Sequence, residues 1–363
     1  MNALTRSMLP IGAALALLLA PAVGGAQTVV TVGLVSPLSG GIGGPMALAR
    51  ELGFMKEEGI DVQFQDFAGS AVMLPQLAAN RVTVGWPNPD PIILSHDVGK
   101  DPLPIKMFYN VFRASPWEYV VPEDSPITDL RQLKGKRLGI FGPTSGNVPV
   151  SRALMADLGI NLDTDVELVS VGAGAGVAVA FNAKKIDALN HFSSQTMLTE
   201  ESGVKLRRLA QPEKYARLFA NGFATHQDTL KNQRELLIKF GRVFAKGVVA
   251  CEANVTACTQ AFWKIYPARK ASIHPDDAKN LQFSNRLIAA QLRSNRAFAS
   301  GTPHKLGYYD ASTWKDFISV LNAGGQLKAK DIDPSKLYTN DLIDPINQFD
   351  AAAVAAAALA YKP

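Results

Sequence analysis

The sequence predicts an α/β protein of two lobes, each built on a mostly parallel sheet with helices on both faces. Three observations support this prediction. Short β-rich runs alternate with helical stretches from Thr28 onward, which is the pattern of parallel strands joined by crossover helices. A second series of the same plan starts after the Pro-containing stretch 115–126. The chain of 363 residues is also too long for one ordinary hydrophobic core.

The first series opens with a predicted strand over residues 28–35 and a helix over 45–58. Leu48, Leu52 and Met55 recur at helical spacing, and Gly59 is a typical residue for ending a helix. Apolar and polar residues then alternate from Ile60, which indicates a strand. The further elements predicted for this series are a helix at 70–79, a strand at 81–85, a helix at 90–97 and a strand at 104–111.

The second series has the same order of elements. Val150, Leu154 and Leu158 mark one face of a helix. The other predicted elements are strands at 136–141, 166–171 and 185–190 and a helix at 176–183. Long helices follow from Gln233 and end in the Ala-rich stretch 351–361. We predict that the chain crosses between the lobes near 117–122 and again near 219–225.

The N-terminus has the features of a secretory signal. Arg6 precedes an apolar run over residues 8–20, and small residues at 24–26 suit cleavage before Gln27. We therefore expect residues 1–26 to be a cleavable signal peptide and the mature protein to be periplasmic. An uncleaved membrane anchor is the alternative. No cysteine stands at the cleavage point, so a lipid-anchored form is not expected.

Composition excludes several classes of protein. An apolar content of 47% is ordinary for a globular chain and argues against disorder. The net charge is +5, but Lys, Arg, Asp and Glu are interspersed and form no basic block. A nucleic-acid-binding surface is therefore not expected.

The two cysteines, Cys251 and Cys258, leave two possibilities open. An unbroken helix would hold their Cα atoms about 10.5 Å apart, beyond the roughly 7 Å that a disulfide tolerates. Asn254 and Thr256 could instead end one helix and cap the next, which would bring the cysteines together. We expect a disulfide, with two buried free thiols as the alternative. No His/Cys pair at zinc-site spacing accompanies them, so we expect neither a metal site nor a cofactor.

Five segments together resemble one known family, the substrate-binding proteins of nitrate, sulfonate, taurine and thiamine-pyrimidine ABC importers. The longest is ARELGFMKEEGIDV at 49–62. The others are LAANRVTVG at 77–85, ITDLRQLKGKRLGI at 127–140, KKIDAL at 184–189 and YTNDLIDPINQF at 338–349. Each segment is weak alone, but their order and spacing cover nearly the whole mature chain.

The resemblance implies a type II periplasmic-binding fold, in which two lobes close over a ligand about a two-strand hinge. Lobe one would comprise residues 28–115 plus 222–363, and lobe two residues 116–221. It also implies a monomer that delivers a small organic anion or heterocycle, of sulfonate, aromatic acid or pyrimidine type, to an inner-membrane ABC permease.

Three loops that follow predicted strands are candidates for ligand contact, because ligands of open α/β lobes lie at the carboxyl ends of strands. The loops are 36–45, 142–149 and 172–176, and small residues there would expose backbone N–H groups. The alternative is that they are ordinary turns. Neither Rossmann nor P-loop spacing is present, so nucleotide binding is not expected. The candidate residues in these loops are Ser36, Leu38, Ser39, Gly40, Thr144, Ser145, Asn147 and Gly174.

Aromatic and polar residues at strand ends are expected to form the pocket walls. The candidates are Trp86, Asn88, Tyr109, His191 and Phe192, with Trp117 near the first crossing. Packing beside the hinge is the alternative for Trp86, and His191 is expected to be a hydrogen-bonding rather than a catalytic residue. Trp263 and Trp314 lie in predicted helices and are expected in the core. No arginine lies in the loops, so an anion would depend on helix ends or on Arg113 and Arg152.

Two other functions remain possible from the sequence. One is an enzyme of the thiamine-pyrimidine-synthase type, which resembles this family but carries a cysteine-rich motif that is missing here. The other is a ligand-sensing domain, which usually comes with an output module. We expect no catalytic residues, because no nucleophile and base stand in a recognisable pattern.

Overall fold

The computed structural model describes residues 27–270, 272–296 and 305–363, so the predicted signal peptide at 1–26 lies outside the described residues. The described chain forms two five-stranded sheets. The strands are β1 (Thr28–Leu34), β2 (Ile60–Asp66), β3 (Val84–Gly85), β4 (Ile105–Asn110), β5 (Trp117–Pro122), β6 (Arg137–Ile140), β7 (Glu167–Ser170), β8 (Ala188–Phe192), β9 (Leu206–Leu209) and β10 (Gly222–His226).

Each sheet is mixed, with one strand running against the other four. The first sheet has the order β2-β1-β3-β10-β4, and β10 is antiparallel to both of its neighbours. The second has the order β7-β6-β8-β5-β9, and β5 is antiparallel to β8 and β9. These two exceptions are the strands at which the chain enters a sheet from the other one. The predicted α/β class is confirmed, with the parallel character limited to four strands of each sheet.

The helices lie between and around the strands, as the alternating pattern predicts. They are α1 (Gly40–Glu51), α2 (Phe54–Glu58), α3 (Ser70–Ala78), α4 (Asp90–Ser95), α5 (Val148–Asp157), α6 (Gly176–Asn182), α7 (Ser193–Glu201), α8 (Glu213–Ala216), α9 (Gln227–Asn232), α10 (Arg234–Ala253), α11 (Val255–Ile265), α12 (Asp277–Arg296), α13 (Ala311–Ala323), α14 (Ile343–Ile346) and α15 (Ala351–Ala360). Three short 3-10 turns occur at 130–133, 267–269 and 334–336.

The glycine-rich stretch predicted as a loop is mostly helix. Helix α1 begins at Gly40 rather than at Pro45, so Pro45 lies inside the helix. Packing explains the glycines, because α1 lies against α11 and α12 and a Cβ added at Gly43 would stand 2.4 Å from the Phe262 ring. Close approach of helices, rather than access for a ligand, therefore accounts for Gly43.

The chain crosses between the sheets just before the positions predicted. Residues 117–122 are β5 itself, and 222–226 are β10, so the crossing segments are 111–116 and 210–221. The segments pair with each other, since Phe112 N donates to Asn221 O at 2.9 Å and Ala220 N donates to Phe112 O at 2.8 Å. The two sheets are therefore connected by two adjacent, hydrogen-bonded segments.

Helix α13 lies in the stretch predicted for lobe one but packs against α5 and α8, which belong to the second sheet's part of the chain. Trp314, on α13, is fully buried in the core as predicted. Its ring stacks on Tyr338 with centroids 5.2 Å apart and also contacts Phe219 at 4.7 Å. Helix α13 is thus a part of 222–363 that contacts the second sheet's segment, and the assignment of 222–363 to lobe one stays a prediction.

Asn254 ends α10 and caps α11, as the sequence suggested. Its side-chain Oδ1 accepts a hydrogen bond from Ala257 N at 3.0 Å. The resulting corner places the Cα atoms of Cys251 and Cys258 5.1 Å apart, and the structure joins the two residues in a disulfide.

Candidate functional site

A cavity of about 370 Å³ lies between the two sheets. Its walls come from loops at the carboxyl ends of strands, from both crossing segments and from helices α11 and α12. The described lining residues are Val35, Ser36, Pro37, Leu38, Ser39, Gly40, Gly69, Trp86, Asn88, Phe112, Pro116, Trp117, Phe141, Ser145, Gly146, Ala173, Gly174, Phe192, Ser193, Ser194, Gln195, Leu198, Asn221, Phe262, Trp263, Arg269, Phe283, Ser284, Leu287, Ile288, Gln291 and Ser294.

Most of the predicted site residues line this cavity, because strand ends of both sheets face each other there. The predicted residues that do so are Ser36, Leu38, Ser39, Gly40, Trp86, Asn88, Ser145, Gly174 and Phe192. Trp117, predicted near the first crossing, also lines it. That these residues contact a ligand stays a prediction.

Tyr109 is not part of the cavity. It is fully buried in the core of the first sheet. Its ring stands edge-on to Phe244 on α10 at 5.6 Å and packs beside Phe223 on β10 at 5.8 Å. The side chain therefore points to the helical layer behind the sheet. The prediction that it forms a pocket wall is wrong, because a position near the end of a strand does not determine which face of the sheet the side chain is on.

Thr144 joins the two lobes instead of lining the cavity. Its hydroxyl donates to Ala68 O at 2.6 Å, and Thr144 O accepts from Ala71 N at 3.3 Å. Gly69 makes this contact possible, because its φ is +102° and an added Cβ would stand 2.3 Å from Thr144 O. The second predicted loop is thus partly an interlobe contact.

Asn147 is buried, and its polar groups bond to other side chains. It donates through Nδ2 to Asn190 Oδ1 at 3.1 Å and accepts from Ser145 Oγ at 2.7 Å. Ser151 Oγ also donates to Asn190 Oδ1, at 3.1 Å. In this network the polar groups of Asn147 hold the amino end of α5 to β8. Asn147 therefore supports the wall of the cavity and does not form it.

Gln195 holds the loop at 172–176, a role that was not predicted from the sequence. Its Oε1 accepts from Gly174 N at 2.6 Å and its Nε2 donates to Gly174 O at 2.9 Å. The Gly174 amide is therefore not available to a ligand. Gln195 lies in the first turn of a helix, where a polar residue gives no sequence signal for such a role.

His191 fixes the same loop from the other side and does not line the cavity. Phe192 N donates to His191 Nδ1 at 3.1 Å, so the ring proton sits on Nε2, which donates to Gly172 O at 2.8 Å. Burial lowers the pKa of His191 to about 4. The imidazole is thus neutral at ordinary pH and acts as a hydrogen-bonding residue, as expected from the sequence.

Helices α11 and α12 form a wall of the cavity that was not predicted from the sequence. Phe262, Trp263, Phe283 and Gln291 all line the cavity. Trp263 was expected in the core and is instead half-buried at the cavity wall, with Lys270 Nζ over its ring at 4.8 Å. An amphipathic helix covers a core and a cavity with the same pattern, so periodicity could not separate the two.

Among the described lining residues, Arg269 alone is ionisable. It pairs with Asp66, whose other oxygen accepts from Leu38 N at 3.1 Å. The two arginines proposed to assist an anion do not line the cavity. Arg152 binds Asp163, with Nε to Oδ2 at 2.8 Å, and Arg113 donates to Lys305 O.

The lobes contact each other on two sides of the cavity. On one side, Asp90 Oδ2 accepts from Val150 N at 3.3 Å, and burial raises the pKa of Asp90 to about 8. On the other side, Glu201 of α7 binds His274 at 2.7 Å and Arg286 of α12 at 2.6 Å. The structure therefore corresponds to an arrangement in which both lobes enclose the cavity.

Two further findings concern the described part of the chain. In residues 27–270, 272–296 and 305–363, no group of three or more His, Cys, Asp or Glu side chains could hold a metal ion. Within those same ranges, no helix has the length and apolar character needed to cross a membrane.

Comparison with solved structures identifies the fold as the type II periplasmic-binding fold. A protein from Bordetella bronchiseptica is 19% identical, with a TM-score of 0.67, covering 89% of this chain and 98% of that one. The alkanesulfonate-binding protein from Xanthomonas axonopodis pv. citri, bound to MOPS, is 12% identical, with a TM-score of 0.62 over 86% of this chain and 99% of that one. The periplasmic nitrate-binding protein from Synechocystis PCC 6803 is 14% identical, with a TM-score of 0.59 over 93% and 99%.

The chain belongs to the NMT1/THI5-like family, whose model matches residues 44–254, more than half of the sequence. The family resemblance read from the sequence is thereby confirmed. A search of curated proteins finds no match.

Proposed function

We propose that this protein is the periplasmic solute-binding component of an ABC importer, and that it captures a small organic ligand by closure of two lobes. The observation that carries the proposal is the cavity of about 370 Å³. It is lined by both lobes and bordered by the hydrogen-bonded crossing segments. A site of this size, mostly apolar with a few polar groups, is typical of small-molecule binding.

Family membership and fold support the proposal. The solved structures that share the fold include proteins described as binding an alkanesulfonate and nitrate, although identities this low establish the fold alone. Export through residues 1–26, a permease partner and a monomeric state are parts of the same proposal. N-terminal sequencing of periplasmic material should find a mature start at or beside Gln27.

The experiment is a thermal-shift screen of small sulfonates, aromatic acids, pyrimidines and their uncharged analogues, because a ligand that binds only the folded state raises its unfolding temperature. Each hit is then tested by small-angle scattering. Closure predicts a smaller radius of gyration with ligand than without it. A ligand that binds tightly at the cavity with no compaction would contradict the hinge mechanism.

The alternative is an enzyme on the same fold, since the NMT1/THI5-like family includes enzymes. In this chain both cysteines are joined in a disulfide and His191 is buried with both ring nitrogens bonded. Recovery of the bound ligand after long incubation separates the two functions. A binding protein returns the ligand with unchanged mass, whereas a converted ligand would establish the enzyme.

A further inference from the structure

Aromatic rings are concentrated around the cavity between the lobes. Of the 32 described residues that line it, eight are Trp or Phe, a quarter of the set, whereas Phe, Trp and Tyr together make up 8% of the chain. Three of the four tryptophans, Trp86, Trp117 and Trp263, are among the eight. Apolar surface gathered in one place commonly marks a ligand-binding site, so this wall indicates a ligand with apolar surface of its own.

Several of these rings can contact a ligand directly. Trp117, Phe141, Phe192 and Trp263 line the cavity and are half-buried, so each keeps part of its surface accessible. Phe283, by contrast, is only 1% exposed. Trp117 and Phe192 stand edge to face, with their ring centroids 5.9 Å apart. Edge-to-face and offset contacts are the arrangements that aromatic rings prefer, so a ring of the ligand would extend this cluster.

The accessible rings come from both sides of the interlobe boundary. Trp117 and Phe192 lie on β5 and β8 of the second sheet, whereas Trp263 lies on α11, which packs against α1. A flat body held between these two groups contacts both lobes at once. A ligand favours the closed arrangement only by binding it more tightly than the open one, and contacts to rings of both lobes supply that difference.

Helix α12 adds an apolar strip to the same wall. Ser284, Leu287, Ile288, Gln291 and Ser294 all line the cavity, and their spacing puts them on one face of the helix. The two apolar residues lie in the middle of this face, and the polar residues on either side of them are uncharged. An apolar body therefore fits beside the strip, with neutral hydroxyl and amide groups near its ends.

The electrostatics of the cavity do not suit an inorganic oxyanion. Arg269 is the one ionisable residue among the described lining residues, and it is bound to Asp66. A nitrate or sulfate ion would bring its charge to a wall without a free cation, and burying an unpaired charge is costly. Such an ion would also leave the aromatic surface uncovered and most of a cavity of about 370 Å³ unfilled.

We propose that the cavity binds a small organic compound through an aromatic ring, and that it prefers this ring to an aliphatic chain with the same number of carbon atoms and the same polar group. Trp117, Phe192 and Trp263 are the residues that recognise the ring. This inference rests on the proposed function and narrows its ligand class.

The test compares matched pairs that share a polar group and a carbon count: benzoate with heptanoate, benzenesulfonate with hexanesulfonate, and benzamide with heptanamide. The protein is first unfolded and refolded to remove any bound ligand, and affinities are measured by calorimetry. We expect the aromatic member of each pair that binds to do so at least about fivefold more tightly. The chain loses bond rotations on binding, and it makes no ring–ring contacts. Nitrate and sulfate, measured in the same way, should not bind.

Equal or tighter binding of the aliphatic members or of the inorganic ions, with compaction in scattering, would overturn the inference and leave solute binding standing. If no member of any pair binds, the assigned ligand class is wrong, and the wider thermal-shift screen tests solute binding separately.

Phe192→Leu and Trp117→Leu should each weaken binding of the aromatic member about two- to tenfold, the effect of one lost ring–ring contact. Binding of the aliphatic member should change little. Phe64→Leu is the matched control, because Phe64 is also half-buried and stands edge to face with Tyr266 at 6.2 Å but is not among the described lining residues. It should leave the preference unchanged. Equal losses for ring and chain in Phe192→Leu and Trp117→Leu would overturn the inference.

Tryptophan emission tests the position of the ligand independently. In Trp314→Phe every remaining tryptophan lines the cavity, so all of the emission comes from its wall. Saturation with an aromatic compound that is bound there should shift or quench this emission. Tight binding that leaves the emission unchanged would place the ring elsewhere and would contradict the assignment of Trp117 and Trp263.

Discussion

Asp90 caps a helix of the other lobe. Its Oδ2 accepts from the backbone amide of Val150, the third residue of α5, at 3.3 Å. That amide is the usual partner of an N-cap side chain, but Asn147, the N-cap residue of α5, makes no such bond and binds Asn190 instead. The backbone N–H at this helix end therefore bonds to a side chain of the other lobe. Asp90 thereby couples the position of lobe two to that of lobe one.

This contact predicts an unusual dependence of stability on pH. Burial raises the pKa of Asp90 to about 8, against about 3.9 in an unfolded chain. Between these values the folded protein holds a proton that the unfolded chain releases, so the free energy of unfolding falls as pH rises. The slope from this group approaches about 1.4 kcal/mol per pH unit within the window.

Asp90→Asn keeps an acceptor for Val150 and removes the titration. Urea unfolding from about pH 5 to about pH 8 should show a flatter dependence in the variant than in the wild type. Asp316→Asn, on the exposed face of α13, is the control and should retain the wild-type slope. An unchanged slope in Asp90→Asn would mean that Asp90 is ionised throughout.

The ion pairs of Glu201 are expected to favour the closed arrangement. Burial opposes ionisation of Glu201, but hydrogen bonds from His274 and Arg286 outweigh it and lower its pKa. Glu201→Gln removes the charge at this interlobe contact and should weaken ligand affinity about two- to fivefold, the effect of an ion pair worth about 0.5–1 kcal/mol. Calorimetry with a confirmed ligand measures the change.

Glu200→Gln is the matched control, because Glu200 binds Arg208 within the same lobe, with Oε2 to Nη2 at 3.0 Å. Loss of that pair should leave affinity unchanged. Equal losses in both variants would show that the effect comes from general destabilisation of α7 and not from the interlobe contact.

His191 predicts loss of stability in acid. Burial lowers its pKa to about 4 in the folded protein, against about 6.5 when unfolded. Below about pH 6.5 the unfolded chain takes up a proton that the folded chain does not, so this contribution to stability is lost as pH falls towards 4. NMR should show the His191 ring neutral, with its proton on Nε2, down to about pH 5. A ring that titrates near pH 6.5 in the folded protein would contradict the observed bonding.

The disulfide between Cys251 and Cys258 should be chemically present in protein isolated without reductant. Mass spectrometry without reductant should show no alkylation and a mass about two hydrogens below that of the reduced chain. Replacing both cysteines by alanine should lower the free energy of unfolding by about 2 kcal/mol, since the closed loop is short. Ligand affinity should change little, because neither cysteine lines the cavity. Two freely alkylated thiols in native material would reject the bond.

Local pattern alone predicted the alternating strands and helices and the strand ends that carry Trp86, Asn88 and Ser145. Strand and helix periods are local properties, and parallel strands bring their carboxyl ends to one edge whatever the rest of the chain does. The same logic predicted the Asn254 corner, because a capping residue acts on its own helix ends.

Tertiary contacts decided what local pattern left open. Tyr109 and Trp86 both follow or end a strand, yet Phe244 on α10 draws the Tyr109 ring into the core while Trp86 borders the cavity. Gly40 became the start of α1 because α11 and α12 pack against the glycine-rich turn. Trp263 lines the cavity because its helix packs against α1 and α12, which also contribute residues to the wall. Each of these outcomes depends on residues more than a hundred positions apart, whose approach is set by the packing of whole elements and not by the spacing of neighbours.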